Sequence, residues 1–125
     1  MYCVIQTGQF TKAVKNLSLS DDELHSIVSQ IATNPEIGDL IPGTGGARKW
    51  RVGTKQKGKR SGYRVVSFFG GEDIPVFLLE IFAKGERINL SKHERNELKK
   101  ILGDIAENYR QSVRDKVSQL KETGT

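Results

Sequence analysis

The sequence is poor in cysteine and has no long apolar run. A single cysteine in 125 residues, Cys3, cannot form an internal disulfide or a cysteine-based zinc site, which excludes a disulfide scaffold and a zinc finger. No run approaches the roughly 18 apolar residues of a membrane span. The apolar start from Met1 to Ile5 also lacks the basic segment of a signal peptide. The sequence therefore predicts a cytoplasmic protein without a membrane partner, and its length fits a single domain over residues 1–125.

The usual catalytic and metal-binding groups are also scarce. The two histidines, His25 and His93, fall in separate predicted helices, and neither has a partner at metal-ligand spacing. Cys3 lies in an apolar run with no base beside it, which favours a buried structural thiol. No motif indicates a nucleophilic serine, and no acidic cluster would hold Mg²⁺. The sequence predicts no bound metal and no cofactor, and it disfavours a metal-dependent nuclease.

Acidic residues are absent from one basic stretch, residues 47–64. This stretch carries eight bases, although the net charge of the whole chain is only +5. Like charges at this density repel each other unless an anion binds them, which indicates a nucleic-acid backbone or an anionic lipid surface. A solvated loop tip is the alternative. The bases are Arg48, Lys49, Arg51, Lys55, Lys57, Lys59, Arg60 and Arg64.

Hydrophobic spacing predicts an α+β fold. The predicted elements are a strand over 2–6, helices over 10–17 and 20–34, strands over 47–53, 61–69 and 74–82, and a long helix over about 91–121. Ser20 with Glu23, and Ser91 with Glu94, form capping boxes at the starts of two helices. The short links between the last three strands are typical of an antiparallel meander. We therefore expect helices packed on a twisted antiparallel sheet.

Strand alternation points to a cluster of cations. Lys49 and Arg51 share one face of their strand, Arg64 lies on the next strand, and Lys84 and Arg87 follow the third. Such cations can lower the pKa of an RNA 2′-OH, neutralise a pentavalent phosphorus transition state and steady the leaving oxygen. A binding site would use the same cations, so composition leaves cleavage and binding both open.

Three motifs, in this order and spacing, resemble one known family. They read Gly43-Thr44-Gly45-Gly46-Ala47-Arg48-Lys49-Trp50-Arg51, then Gly58-Lys59-Arg60-Ser61-Gly62-Tyr63-Arg64-Val65-Val66, then Phe82-Ala83-Lys84-Gly85-Glu86-Arg87-Ile88-Asn89-Leu90-Ser91. The chain is similar over nearly its whole length to the RelE/HigB-like toxins of bacterial type II toxin–antitoxin modules, and most similar to the HigB-type branch.

The resemblance implies a RelE/ParE-like microbial ribonuclease fold and a metal-independent mRNA interferase. Such a toxin is an endoribonuclease that cleaves mRNA in the A site of the 70S ribosome, by attack of the 2′-OH on the adjacent phosphate. An antitoxin partner is implied as well, usually a helix-turn-helix DNA-binding protein in this branch. The implied catalytic positions are Lys49, Arg51, Arg64, Lys84 and Arg87. The residues expected to bind RNA are Arg48, Lys55, Lys57, Lys59 and Arg60.

The general base stays open. Some RelE-type members use a tyrosine near the end of the domain, where this chain has Asn89-Leu90-Ser91. His93 or Glu86 are the candidates in its place, or the chemistry runs on cations alone. Two alternative functions are a ParE-like toxin that inhibits gyrase and a non-catalytic RNA-binding module. We expect the antitoxin to act by steric blocking of ribosome entry rather than by covering the cations.

Overall fold

A computed structural model describes residues 2–53, 62–83 and 90–123 of the chain. The elements in chain order are β1 (Val4–Gln6), α1 (Gly8–Asn16), α2 (Asp21–Thr33), β2 (Asp39–Leu40), β3 (Ala47–Gly53), β4 (Gly62–Phe68), β5 (Val76–Ala83) and α3 (Lys92–Thr123). The α+β class predicted from the sequence is confirmed, and the strands form one five-stranded sheet in the order β1-β5-β4-β3-β2.

Capping residues set the helix starts, as the sequence predicts. The Ser20 hydroxyl accepts from the Glu23 amide at 3.1 Å, and the Glu23 carboxylate accepts from the Ser20 amide at 3.0 Å. Ser91 and Glu94 form the same reciprocal pair at the start of α3, and these bonds lower the pKa of the Glu94 carboxyl. Each box satisfies amides that a helix end would otherwise leave without partners.

One edge of the sheet departs from the predicted antiparallel arrangement. β2 through β5 pair antiparallel, but β1 pairs in parallel with β5, Val4 lying opposite Val76. No tight turn links these two strands, because α1, α2 and three other strands lie between them in the chain. Without a hairpin to impose antiparallel pairing, packing of the helices sets the direction of β1. The sheet is therefore mixed.

Alternate strand residues face two separate cores. On one face, α1 and α2 bury Phe10, Ile27 and Ile31, each 0% exposed, against β3, β4 and β5. On the other face, Leu102 and Ala106 of α3 pack against the sheet. Trp50, Tyr63 and Phe68, which the sequence favours as packing residues rather than base-stacking platforms, take part in these cores. Trp50 and Phe68 belong to the clusters directly, and Tyr63 packs against the first.

The turn before β3 is fixed by a buried threonine. The Thr44 hydroxyl, fully buried, donates to the Ile41 carbonyl at 2.7 Å and accepts from the Ala47 amide at 3.1 Å. Gly46 adopts φ +131°, where a Cβ would lie 3.1 Å from the Phe68 ring, so a side chain would be both strained and crowded there. The predicted turn thus positions the start of β3.

Helix α3 is fastened to the sheet at the β4–β5 turn. Arg110 donates to both carboxylate oxygens of Asp73, at 2.6 and 3.0 Å, and to the Gly70 carbonyl at 3.2 Å. Beyond Arg110 the side chains through Lys121 are all exposed, so the helix continues past the body of the protein. No helix in the described ranges is long and apolar enough to cross a membrane.

Candidate functional site

Three of the predicted catalytic cations lie together on the sheet. Lys49 and Arg51 are two residues apart on β3 and share a face, and Arg64 of β4 lies directly opposite Arg51. Residues paired in this way have Cβ atoms about 4.5–5.5 Å apart. This is the same face that α3 covers farther along, at Ala47 and Phe68, so the cations occupy the uncovered part.

The Arg51–Arg64 pair is an unfavourable one for folding. Like charges directly opposite each other on neighbouring strands are destabilising, and no salt bridge to a carboxylate relieves either arginine in the described part of the chain. An anion seated between the two side chains would remove the repulsion. The geometry therefore favours a bound phosphate or another anionic group at this position.

The cations line a surface pocket of about 520 Å³. The strands contribute Lys49, Trp50, Arg51 and Arg64, and the segment that leads into β2 contributes Ile37, Gly38 and Asp39. Gly38 makes this arrangement possible, because it has φ +89° and a Cβ there would collide with the Lys49 carbonyl. The close approach of β2 to β3 thus requires glycine at position 38.

Asp39 is a site residue that the sequence reasoning missed. It pairs across the strands with Lys49, which places both side chains on one face of the sheet. It lines the pocket, and among the residues that the structure describes no hydrogen bond or ion pair engages its carboxylate. A two-residue strand has no readable hydrophobic pattern, so only the Gly38-Asp39 turn signal marked this position in the sequence.

One further predicted site residue, Arg48, is described by the structure and does not line this pocket. Arg48 lies on the opposite face of β3, where its guanidinium donates to the Glu36 and Gly38 carbonyls at 3.0 and 3.1 Å. These bonds hold the segment before β2 against β3. The other positions lie outside the described residues, and they are Lys55, Lys57, Lys59, Arg60, Lys84, Glu86 and Arg87.

His93 is placed on the exposed side of α3. Its Nε2 lies 3.0 Å from the Glu97 carboxylate one turn away, and the imidazole is 80% exposed. It does not line the cation pocket. Within residues 2–53, 62–83 and 90–123, no three histidine, cysteine or acidic side chains come together in a way that could hold a metal ion.

The structure also places the side chains of Cys3 and Tyr63. The prediction that Cys3 is buried is wrong, since the thiol is exposed. Tyr2 and Val4 pack toward the α1–α2 core, so Cys3 between them points away from it at the sheet edge. Tyr63 packs on that same α1–α2 side, and burial, followed by the nearby Glu23 charge, raises the pKa of its phenol.

A comparison with known protein families agrees with the RelE-type resemblance seen in the motifs. A family model described as the RelE toxin of the RelE/RelB toxin–antitoxin system matches residues 3–125. Among solved structures, a mutant of the E. coli toxin RelE in the free state is 19% identical, with a TM-score of 0.44. The match covers 64% of this chain and 80% of that one.

Proposed function

The chain belongs to the RelE toxin family of toxin–antitoxin systems, and on that basis we propose that it is a ribosome-dependent endoribonuclease that cleaves mRNA. The observation that carries the proposal is the pocket in which Lys49, Arg51 and Arg64 converge. Cations that neutralise a transition state need to be fixed before the reaction, and these three are carried by paired strands. A HigB-type antitoxin with a helix-turn-helix domain is the partner proposed for it.

For the reaction, the site must neutralise charge on the phosphate, stabilise the leaving 5′-oxygen and accept the proton of the 2′-OH. The 2′-oxygen of a ribose attacks the adjacent phosphorus, the bond from phosphorus to the 5′-oxygen breaks, and a 2′,3′-cyclic phosphate and a 5′-hydroxyl result. Arg51 and Arg64 face each other across the strands, so a phosphate between them would have its extra negative charge neutralised as the pentavalent state forms. Lys49, two residue pairs farther along, can steady the 5′-oxygen as it leaves and donate the proton that makes it a hydroxyl.

Asp39 is our proposal for the group that takes the 2′-OH proton. It is the carboxylate that lines the pocket among the described residues, and its pairing with Lys49 holds it on the cation face. His93 lies outside the pocket. A positioned proton acceptor contributes about 10²–10⁴-fold to a rate. With Asp39 in this role, the site does not need the tyrosine that some members of the family use.

The test of the function is cleavage of mRNA on translating ribosomes. Primer extension should map new 5′ ends within the A-site codon when the wild-type protein is added. Each of Lys49→Ala, Arg51→Ala and Arg64→Ala should slow cleavage by about 10²–10³-fold, the loss typical of one electrostatic transition-state contact. Lys15→Ala, an exposed base on α1, is the matched control and should cleave normally.

Three results would contradict the proposal. Normal cleavage by a variant that combines Lys49→Ala, Arg51→Ala and Arg64→Ala would show that these cations take no part in the mechanism. Inhibition of gyrase supercoiling with mRNA left intact would indicate the ParE-like alternative. Binding of RNA by the wild-type protein without new 5′ ends would indicate a binding module.

Asp39→Asn tests the proton acceptor separately. The amide keeps the size of the side chain and cannot accept the proton, so kcat should fall about 10²-fold or more while the concentration of ribosomes giving half-maximal rate stays unchanged. Asp39→Glu should restore part of kcat. The control is Glu36→Gln, because Glu36 contacts Arg48 and lies outside the pocket. An unchanged kcat in Asp39→Asn would show that the cations suffice.

A further inference from the structure

The end of α3 carries a feature that the cation pocket does not explain. Residues 111–121 are exposed on every side of the helix, and a helix surrounded by water normally has polar residues all round. Here Val113 and Val117 are 43% and 46% exposed, and Leu120 is 69% exposed. These are three of the five exposed large apolar side chains in the part of the chain that the structure describes.

The three side chains form one stripe. Their spacing of four and then three residues places them on the same side of the helix. It also continues the position of Ala106, which is buried against the sheet seven residues before Val113. A heptad spacing of this kind is the seam by which one helix packs against another. The stripe of Val113, Val117 and Leu120 is therefore suited to a partner helix.

Basic residues flank the stripe, and an acidic residue, Asp115, lies on the opposite side of the helix. Lys116 and Lys121 lie on its two sides, at the positions that meet a partner's flanking residues in a paired helix. Neither forms an ion pair with a side chain that the structure describes. Asp115 is two residues from each valine, which puts it on the far side of the helix. Its carboxylate accepts from Gln111 at 2.9 Å.

We propose that this stripe binds an amphipathic helix of another protein, one with an apolar seam and acidic flanks. A second copy of this chain is a poor occupant, because a parallel pair would set Lys116 against Lys121 and an antiparallel pair would set each lysine against its own copy. An acidic helix would meet both lysines with opposite charge, which speeds association and fixes the register. If the proposed toxin function holds, the antitoxin is the protein that carries this helix.

The location of the stripe makes this contact independent of catalysis. Helix α3 leaves the sheet at Arg110, which is bound to the β4–β5 turn. The cation pocket lies at β2, β3 and the earlier part of β4. A partner helix on the stripe therefore leaves Lys49, Arg51 and Arg64 uncovered and acts by its bulk.

A synthetic helical peptide of about 20 residues, with a leucine seam and glutamate flanks, tests the proposal against the full-length protein. Fluorescence anisotropy should show binding that weakens between about 0.05 and 0.5 M salt. Val113→Ser with Val117→Ser should weaken binding at least about tenfold. Lys116→Glu with Lys121→Glu should transfer the preference to the same peptide with lysine flanks. Ser118→Ala, away from the stripe, should bind normally.

Several outcomes would overturn the inference. Equal affinity for glutamate-flanked and lysine-flanked peptides would show that the lysines do not select the partner. Absence of binding by the wild type would show that the stripe is not a docking surface. Sedimentation equilibrium showing a dimer that Val113→Ser with Val117→Ser abolishes would make a second copy the occupant. The Lys49→Ala, Arg51→Ala, Arg64→Ala variant should bind the peptide normally, so loss of nuclease activity and loss of docking are separable.

Discussion

The two faces of the sheet are used very differently. The face under α1 and α2 is closed by a continuous apolar core, with Phe10, Ile27 and Ile31 fully buried. The opposite face is divided, since α3 buries the part near Ala47 and leaves the part with Arg51 and Arg64 uncovered. The same strands supply both faces, because neighbouring residues point to opposite sides.

This difference shows how a small protein can hold charges in unfavourable contact. The closed face fixes β3 and β4 from behind through Trp50 and Val65, so the backbone positions of the paired arginines are held by that core. Three variants test this division, and each is paired with a control chosen from a neighbouring position or from the other face.

Leu102→Ala should have the largest effect on stability. Leu102 is 1% exposed in the α3 core, and truncation of a buried leucine costs about 2–5 kcal/mol of unfolding free energy. Urea unfolding measures the loss. The neighbouring Ile101 is 54% exposed, so Ile101→Ala should change the midpoint little. Cleavage at a temperature below the transition should persist in Leu102→Ala, because α1 and α2 still hold β3 and β4. Loss of cleavage there would show that α3 also orders the cations.

Asp73→Asn should lower stability by less than Leu102→Ala does, and by an amount that depends on pH. The hydrogen bond from Arg110 lowers the pKa of the Asp73 carboxyl below its usual range. Its contribution to stability is therefore complete above the unfolded-state pKa of about 3.9 and is lost as the pH falls through the lower folded-state value. Melting curves should show wild type above Asp73→Asn at pH near 7 and the two converging in acid.

Glu72→Gln, in the same turn, is the control for Asp73→Asn. A gap between wild type and Asp73→Asn that persists below the folded-state pKa would contradict the role of the charge in this clamp.

Arg51→Thr should change stability the least of the three variants, and it should raise stability where the other two lower it. Removing the charge that lies opposite Arg64 should raise the unfolding free energy by about 0.2–1 kcal/mol, and added salt should shrink the gain by screening the repulsion in the wild type. Arg48→Thr on the other face is the control. It should lower stability, because Arg48 donates to the Glu36 and Gly38 carbonyls. A loss of stability in Arg51→Thr would indicate that the arginine is held by favourable contacts.

The local parts of the fold were predictable from sequence, and the non-local parts were not. Both capping boxes, the length of α3 and the strands of the β3–β5 meander follow from residues near each other in the chain. The parallel pairing of β1 with β5 depends on the packing of α1 and α2, which no local pattern encodes. β2 is only two residues long, too short for any periodicity.

The candidate site likewise has residues that the sequence could predict and residues that depend on non-local contacts. Lys49 and Arg51 were predictable as neighbours on one strand face, and the turn-rich link to β4 brought in Arg64. Asp39 reaches them only through the close approach at Gly38, which is a matter of backbone contact. Arg48 shows the limit of charge counting, because its place in the basic stretch suggests RNA while its hydrogen bonds are to the protein's own carbonyls.

The parallel pairing of β1 and β5 also bears on the order in which the chain folds. The Thr7 hydroxyl donates to the Leu78 carbonyl across 71 positions of sequence, and contacts this distant form late because a long loop must close first. β3 and β4 are consecutive, so their pairing, with Arg51 opposite Arg64, closes a much shorter loop. We expect the cation pair to assemble early and the N-terminal strand to dock last. The apolar core behind the cations, which needs Val76 and Leu78 of β5, then becomes complete only after the chain has been synthesised past that strand.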